Sequence, residues 1–337
     1  MEKKYKLTEE TINVAGIILY RIEALKDFND VKRGDNGGFV ESENNLSQYD
    51  NCWVYENAKV YDDAEIYGNA KIYDKASVFG NARIYGDVQI FENAEVYDNA
   101  IVCGNAKVHD KAKVYDDAKV FGDTEIYDYA RVFGNAKVYD SAKIYNNAVI
   151  SGDTVVCGDA LVYNNAIVYN NAWVCGNAKV CGNAVIYNNA DIYDNAIVNG
   201  YAKIYGNANI CGNAKVSGDA AIYNNAAVYG NAEVSGCVIL CDNAEIYENA
   251  KVFGNANVYG YAKVCGDAII ESNSDYIVFK NWWSSGRYFT WTRSNNMWKV
   301  GCFYGTGKEL IDKACKDSEI SGKEYERVVK YVESILS

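Results

Sequence analysis

The twelve residues Ala58-Lys59-Val60-Tyr61-Asp62-Asp63-Ala64-Glu65-Ile66-Tyr67-Gly68-Asn69 contain, twice over, the unit that decides the fold. Every sixth residue from Val54 to Ile270 is Val or Ile, with Leu240 the single exception, over 37 consecutive positions without an insertion or deletion. Ala stands two residues before each of these positions, and its only replacements are Cys52, Val88, Thr124, Thr154 and Val238. A period this uniform predicts a scaffold made of repeated turns.

Each six-residue unit predicts one short strand and one corner. In an extended segment alternate side chains share a face, so Ala and the branched aliphatic residue point inwards together, while the following Tyr points outwards. The next two residues, most often Gly-Asn, Asp-Asn or Asn-Asn, tolerate left-handed backbone angles and favour turns. One unit cannot bury its apolar face alone, so successive coils must stack on each other.

Glycine at the first corner position indicates how many units make one coil. When the units are sorted by 18 residues, one corner carries Gly in 9 of 12 coils and each of the other two carries it in 5 of 12. Sorted by 12 residues, the bias disappears. We therefore predict an all-β fold in which residues 54–270 form a three-sided parallel β-helix of about twelve 18-residue coils.

These repeats resemble the hexapeptide-repeat, left-handed parallel β-helix family, whose pattern is a branched aliphatic residue followed four positions later by a small one. The resemblance covers residues 54–270, and it is the resemblance that implies left-handedness. The Tyr-Gly-Asn-Ala-Lys-Val type of repeat is similar to repeats of uncharacterised phage and prophage proteins. The segments Ile17–Glu41 and Val300–Thr306 resemble the entry region and the C-terminal module of those proteins.

The two ends lack the six-residue period. Residues 1–53 predict a strand-rich cap, with extended segments at Tyr5–Thr8 and Ile17–Leu25 and a turn at Arg33–Gly38. A cap is physically required because the end of a β-helix exposes unpaired strand edges.

Residues 271–337 predict a small α+β domain that recruits a partner or oligomerises. Its predicted strands are Tyr276–Trp283, Arg287–Arg293 and Met297–Tyr304, and its predicted helices are Lys308–Lys316 and Lys323–Leu336. Four tryptophans in this domain are candidate contact residues: Trp282, Trp283, Trp291 and Trp298.

Composition limits the class of protein. The sequence has no run of 18 apolar residues and no apolar signal core after Met1, so we expect no membrane partner and a location in the cytoplasm, that of the host cell if a phage encodes the chain. In that compartment the eleven cysteines should be free thiols. They show no CxxC pairing, so we expect no metal site and no cofactor.

The resemblance raises an enzymatic alternative. Relatives in the hexapeptide-repeat family are often acyltransferases, with a histidine on a loop extruded between the subunits of a trimer. Here the only histidine is His109, at a position where other coils have Tyr, and no unit carries an insertion. We therefore interpret His109 as an outward aromatic substitute and expect no catalytic residue. Ice binding needs outward threonines, whereas Thr124 and Thr154 are predicted to point inwards.

Two outward rows have structural explanations as well as functional ones. Stacked aromatic side chains stabilise a sheet surface, but they also offer a flat platform for a sugar, a base or a protein. Lysines that recur every two coils are explained by electrostatic spacing, and binding of an anionic polymer is the alternative. The aromatic row begins with Tyr61, Phe79, Tyr97, Tyr115 and Phe133. The lysine row is Lys71, Lys107, Lys143, Lys179, Lys215 and Lys251.

A third row is acidic and is the strongest candidate for binding. Like charges on adjacent strands are destabilising, so a row of carboxylates without a structural benefit predicts a site for a basic protein surface or for cations. Residues 54–270 contain 26 acidic and 16 basic side chains, which disfavours direct binding of duplex DNA. The row consists of Glu56, Asp74, Glu92, Asp110 and Asp128.

Taken together, these features predict a non-enzymatic binding or scaffold protein of phage or prophage type. Its acidic and aromatic rows would engage a host protein, in the manner of a nucleic-acid mimic or an anti-defence protein. One alternative is a sponge-like homo-oligomer, such as a trimer, that holds a small ligand. Another is a divergent hexapeptide-repeat acyltransferase that uses His109.

Overall fold

A computed structural model describes residues 3–283 and 285–336 of the chain. Met1 and Glu2 of the predicted cap, Ser284 of the predicted C-terminal domain, and Ser337 lie outside the described residues. The chain divides into two compact units, Met1–Tyr193 and Asp194–Ser337.

The predicted three-sided parallel β-solenoid is confirmed, with about 13 turns in the described chain. Each coil contributes one two-residue strand to each of three sheets, and within each unit successive strands of a sheet pair in parallel with an offset of 18 residues. Lys59 and Val60, for example, are the register partners of Ser77 and Val78. The domain boundaries at residues 53 and 270 remain predictions.

Three parallel sheets, called faces 1, 2 and 3, make up the solenoid of the first unit. Face 1 contains Lys59–Val60, Ser77–Val78, Glu95–Val96, Lys113–Val114, Arg131–Val132, Val149–Ile150, Ile167–Val168 and Val185–Ile186. Face 2 contains Trp53–Val54, Lys71–Ile72, Gln89–Ile90, Lys107–Val108, Glu125–Ile126, Lys143–Ile144, Leu161–Val162 and Lys179–Val180. Face 3 contains Glu65–Ile66, Arg83–Ile84, Ile101–Val102, Lys119–Val120, Lys137–Val138, Val155–Val156, Trp173–Val174 and Asp191–Ile192.

The second unit has three sheets of the same kind. The first contains Lys203–Ile204, Ala221–Ile222, Ile239–Leu240 and Asn257–Val258. The second contains Ile197–Val198, Lys215–Val216, Glu233–Val234, Lys251–Val252 and Ile269–Ile270. The third contains Asn209–Ile210, Ala227–Val228, Glu245–Ile246 and Lys263–Val264.

Backbone hydrogen bonds between coils continue through the strands and into the corners. The Lys59 N–H donates to the Ala76 carbonyl at 2.9 Å, and the corner residue Asn57 donates to the Asp74 carbonyl at 3.1 Å. Because most residues of a coil donate to the next one, a proline would remove a bond almost anywhere, and the chain contains none.

The interior is built from the predicted Ala and Val or Ile positions. Ala58, Val60, Ala106 and their equivalents in nearly every coil are fully buried. Thr124 and Thr154 are also buried, as predicted, and their hydroxyls donate to the carbonyls three residues earlier, at 2.7 Å and 2.6 Å. A threonine can therefore replace the small alanine without leaving an unpaired hydroxyl in the core.

The cap is strand-rich, as predicted. Strands Tyr5–Val14 and Ile17–Ala24 pair antiparallel, and a third strand, Asn36–Val40, pairs antiparallel with the second and parallel with Lys59–Val60. The third strand occupies part of the predicted turn Arg33–Gly38. Gly38 is needed there for close approach, because a Cβ atom would lie 2.5 Å from the Ala58 carbonyl oxygen. A short 3-10 helix, Glu43–Asn45, follows the cap strands.

The last described part of the chain combines one antiparallel sheet with two helices, as predicted. A 3-10 helix, Asn273–Asp275, precedes it. The strands are Tyr276–Lys280, Tyr288–Thr292, Met297–Val300 and Phe303–Gly305, and the helices are α1 (Gly307–Asp317) and α2 (Glu319–Leu336). The predicted strand Met297–Tyr304 is wrong as one element, because Gly301, with φ of +54°, turns the chain into a hairpin. Neither helix is long and apolar enough to span a lipid bilayer.

Two adjacent alanines test the inward and outward assignment. Ala220 is fully buried, whereas Ala221 occupies the outward strand position. We expect Ala220→Leu to lower the free energy of unfolding by about 1–3 kcal/mol because the narrow core has no room for the added side chain. Ala221→Leu, the matched control, should change it by no more than about 0.5 kcal/mol. Denaturant unfolding followed by circular dichroism measures both, and equal destabilisation would contradict the assignment.

Candidate functional site

The five predicted acidic residues occupy the same corner of consecutive coils, directly after the strands of face 2. We call this row, listed below, the acidic corner. All five have left-handed backbone angles, with φ between +52° and +59°. The residues are Glu56, Asp74, Glu92, Asp110 and Asp128.

The acidic corner has a structural function that the sequence argument did not anticipate. The Asp74 carboxylate accepts the Glu92 N–H at 2.9 Å, and Asp110 accepts the Asp128 N–H at 3.2 Å. Asp128 accepts both the backbone N–H and the side-chain amide of Asn146, at 3.0 Å and 2.7 Å. The premise that these carboxylates bring no structural benefit is therefore wrong, because each of these three binds the coil that follows.

Equivalent bonds occur at the other corners, so hydrogen bonding of a corner carboxylate to the N–H of the following coil is a general feature of the solenoid. Asp62 accepts the N–H of Gly80 at 3.1 Å, and Asp140 accepts that of Gly158 at 3.0 Å. The acidic corner differs in that its carboxylates follow each other on five consecutive coils. A carboxylate has about four lone-pair sites, so one N–H bond leaves acceptor capacity for a partner.

Three residues at the middle of the acidic corner lie close enough to hold a cation. Glu92, His109 and Asp110 each offer one ligand atom, and these atoms lie within 4.8 Å of one another. His109 Nδ1 is 3.0 Å from an Asp110 carboxylate oxygen. One imidazole nitrogen and two carboxylate oxygens form a donor set that suits zinc or manganese.

The two carboxyl groups in this cluster influence each other. The hydrogen bond between Glu92 and Asp110 raises the pKa of Glu92, and burial and the Asp110 charge add to the shift. Partial burial opposes ionisation of Asp110, but hydrogen bonds from Glu92, the Asp128 N–H and His109 outweigh it and lower the pKa of Asp110. Asp110 therefore loses its proton before Glu92 as the pH rises.

An aromatic stack lies directly beside the acidic corner. His109 stacks between Phe91 and Tyr127, with ring centroids 4.6 Å and 5.1 Å away. The stack continues from Tyr127 to Tyr145 and then to Tyr163, at 4.9 Å for each step. His109 thus takes the place of a ring in the stack, as the sequence interpretation proposed. Burial and neighbouring negative charge raise the pKa of Tyr127 to about 12, so its phenol stays protonated at neutral pH.

Sequence reasoning overlooked this stack, although the sequence contains its signal. An aromatic residue immediately precedes every acid of the row, as in Tyr55-Glu56, Phe91-Glu92 and Tyr127-Asp128. The aromatic row that was predicted is instead found along the opposite edge of face 1. Its rings are stacked 4.8 Å to 4.9 Å apart from Tyr61 through Phe133. The predicted acidic and aromatic rows therefore border one face but do not touch each other.

Shallow grooves run along the acidic corner. One is lined by Glu56, Asp74, Lys75 and Glu92. Another is lined by Asp128 and Tyr129 and continues along a row of asparagines. The Tyr129 side chain is 57% exposed, and the Lys111 ammonium lies 5.0 Å from its ring centroid. This edge therefore offers carboxylates, amides and an exposed ring to a partner.

Several lysines of the lysine row, on the second sheet of each unit, pair with carboxylates. In the first unit Lys143 lies 2.7 Å from Glu125, and this hydrogen bond lowers the pKa of Glu125. In the second unit Lys215 and Lys251 each lie 3.4 Å from Glu233. Electrostatic pairing thus accounts for these lysines.

The cysteines depart from the sequence prediction at one place. Cys157 and Cys175 form a disulfide, so the expectation of eleven free thiols is wrong for this pair. Both occupy the same outward position of adjacent coils, which places their Cα atoms 4.6 Å apart, within the range that a disulfide spans.

The four candidate tryptophans of the C-terminal region have different environments. Trp291 and Trp298 are buried in a core with Phe289, Leu310 and Val329, so they stabilise the domain and face no partner. Trp283 packs partly against that core. Trp282 is 82% exposed and is the tryptophan of this group that can contact another molecule.

Comparison with known proteins supports the solenoid. The model of the YdcK beta solenoid repeat matches residues 160–176. The uncharacterized acetyltransferase YdcK of Escherichia coli (strain K12) is 35% identical over 66 residues, which cover 17% of this chain and 20% of that protein. The similarity thus spans about a fifth of that relative. It is consistent with the hexapeptide-repeat β-helix family.

Two substitutions of Asp128 test the structural function of the acidic corner. Asparagine keeps an oxygen that can accept the Asn146 N–H, as Asn146 itself does for Asn164 on the same corner. We expect Asp128→Ala to lower the free energy of unfolding by about 1 kcal/mol through the lost hydrogen bonds, and Asp128→Asn to lower it less. Chemical denaturation of both variants measures the difference. Equal stability of the two variants would show that the hydrogen bonds contribute nothing.

Proposed function

We propose that this protein is a non-enzymatic binding or scaffold protein whose acidic corner engages a partner protein with a basic surface. The observation that carries the proposal is the run of five carboxylates on consecutive coils, beside an aromatic stack in which His109 takes part. Partner lysines and arginines would bind the carboxylates, and arginines would also stack on the exposed ring of Tyr129.

The rigidity of the corner supports this function. The Asp74 and Asp110 side chains are already fixed by the N–H groups of the following coils. Binding therefore requires little further ordering of these side chains, and preorganisation of this kind increases affinity. Asp110 also remains charged at neutral pH, because hydrogen bonds lower the pKa of its carboxyl group.

The spacing of the row supports nucleic-acid mimicry as one form of this function. Coils are separated by about 4.8 Å, whereas one DNA strand carries a phosphate about every 3.4 Å. A straight row of acids therefore imitates one strand at somewhat lower charge density. The similarity of the repeats to phage and prophage proteins points to a host protein as the target, with an anti-defence role as its biological purpose.

Neutralising the row tests the proposal. The variant carries Glu56→Gln, Asp74→Asn, Glu92→Gln, Asp110→Asn and Asp128→Asn, which retain hydrogen-bond acceptors. Proteins captured by the wild-type chain from host extract are identified first, and each is then bound as a purified protein. We expect the variant to bind at least about tenfold more weakly because five charges are lost, and wild-type binding to weaken as salt increases.

A matched control removes five carboxylates from the same turn position at other corners. It carries Asp62→Asn, Asp98→Asn, Asp116→Asn, Asp140→Asn and Asp194→Asn, which accept equivalent N–H bonds. This control should retain partner binding. If both variants bind the partner as the wild type does, with the fold intact by circular dichroism, the acidic corner is not the binding site.

One comparison favours acyl transfer as a second function, because the partial relative is named an acetyltransferase. The His109–Asp110 pair resembles a base with its orienting carboxylate. However, the other ring nitrogen of His109 is buried and lies 3.5 Å from a Glu125 carboxylate oxygen. A buried nitrogen is poorly placed to accept a proton from a substrate.

Replacement of His109 by phenylalanine separates the two functions. Phe91 shows that phenylalanine fits the same stack, so the fold of His109→Phe should be unchanged. We expect the variant to bind the partner protein like the wild type and to show no loss of acetyl-CoA turnover. Turnover that is measurable in the wild type and abolished in this folded variant would establish the enzyme instead.

A further inference from the structure

Face 3 of the first unit carries a cationic groove that the proposed function does not use. The groove is lined on one side by the outward strand residues Arg83, Lys119 and Lys137. On the other side it is lined by the corner residues Asn81, Asn99 and Asn135. All six side chains are exposed. The groove therefore presents cations and amides side by side along several coils.

Two lysines in the groove lie next to each other, and Asp117 is the carboxylate that lines the same groove. Lys119 and Lys137 are register partners on adjacent strands. Several other outward lysines do form ion pairs, as Lys113 does with Glu95 at 2.6 Å and Lys143 does with Glu125 at 2.7 Å. Neither Lys119 nor Lys137 forms an ion pair with any residue that the structure describes. Adjacent like charges destabilise a sheet, and a bound anion would relieve this repulsion.

The asparagines on the other side hold each other in place. The Asn81 amide donates to Asn99 at 3.0 Å, and the Asn99 amide donates to Asp117 at 3.0 Å. Each of these bonds uses one of the two amide hydrogens, so the second hydrogen can be donated to a ligand. A row of fixed amides on one side and cations on the other suits a ligand with hydroxyl and carboxylate oxygens.

Apolar surface on the same face adds a stacking platform. Ile101 lies in the groove between the strands of Arg83 and Lys119. Beyond Lys137, the face continues through Val155 to Trp173, whose side chain is 53% exposed. An exposed indole in line with cations and amides can pack against the C–H face of a sugar ring.

The charge pattern favours an acidic glycan over a nucleic acid. Arg83 and Lys119 are two coils apart, about 9.6 Å for strands separated by about 4.8 Å. One strand of duplex DNA carries a phosphate about every 3.4 Å of helix axis, a denser row of charge than this groove matches, and the chain has a formal net charge of −12. Asp117 also lines the groove and would repel a dense row of phosphates. An extended β-linked glycan advances roughly one coil per sugar, so a carboxylate on alternate sugars would match the two-coil spacing.

We propose that this groove binds an acidic oligosaccharide that lies along face 3 and carries a carboxylate on alternate sugars. Lys119 binds one carboxylate with Lys137 beside it, Arg83 binds the carboxylate two sugars away, and the asparagine amides donate to sugar hydroxyls. Trp173 packs on a ring at the far end. The site is independent of the acidic corner, so either can fail without the other.

Isothermal titration calorimetry of the full chain with a hyaluronan oligosaccharide tests the site, since that glycan carries a carboxylate on every second sugar. We expect saturable binding that weakens with added salt. Lys119→Gln with Lys137→Gln should weaken the binding at least about tenfold, and Trp173→Ala should weaken it with no change in its salt dependence. A neutral chitin oligosaccharide of equal length should bind much more weakly to the wild type.

The matched control is Lys113→Gln with Arg131→Gln, a pair of cationic register partners on face 1. This control should bind hyaluronan like the wild type. The proposal is overturned if the wild type does not bind, if the control pair weakens binding as much as the groove pair, or if the neutral glycan binds equally well. It is also overturned if a single-stranded oligothymidylate binds more tightly through Lys119 and Lys137, since the ligand would then be a nucleic acid.

Discussion

The parallel hydrogen-bond ladder between coils, with its constant offset of 18 residues, is the constraint on which the rest of the structure depends. Lys59 donates to Ala76, Asn57 donates to Asp74, and the same offset recurs from coil to coil. Because the offset does not change, each side chain lies beside its equivalents on the neighbouring coils. Stability and function therefore depend on rows of equivalent side chains on successive coils. The role of one residue can be understood only together with the residues 18 positions before and after it.

The corners show how one row can serve both structure and binding. A left-handed corner position favours Gly, Asn or Asp, and a carboxylate there also accepts the N–H of the next coil, as Asp74 does for Glu92. The carboxylates therefore bind the solenoid together while their remaining lone pairs face the solvent. Repulsion between them is reduced by these N–H bonds. An acidic surface is thus compatible with a stable scaffold.

The sequence was sufficient to predict the structural features that the six-residue period determines. The inward Ala58 and Val60, the buried Thr124 and the pairing of residues 18 apart all follow from one repeating pattern. The sequence was insufficient where the structure depends on contacts made by residues outside the six-residue repeats. The strand Asn36–Val40 exists because Gly38 lets the cap approach Ala58 closely, and the hairpin at Gly301 interrupts an otherwise continuous strand pattern. In the candidate site, the rows were predictable, but the N–H bonds to Asp110 and the burial of Trp291 were not, because both depend on three-dimensional neighbours.

The C-terminal region has a structural task that explains why its tryptophans are mostly buried. The last coils would leave strand N–H groups unpaired, and unpaired edges invite association with other chains. Side chains that follow the solenoid accept these N–H groups: Thr290 accepts that of Lys263 at 2.8 Å, and Ser294 accepts that of Ile269 at 2.7 Å. The core around Trp291 and Trp298 holds the strand that carries Thr290 in position. Trp291 and Trp298 therefore belong to the core of this domain, whereas Trp282 is exposed. The two surfaces proposed to bind other molecules, the acidic corner and the groove on face 3, lie instead on the sides of the coils of the first unit.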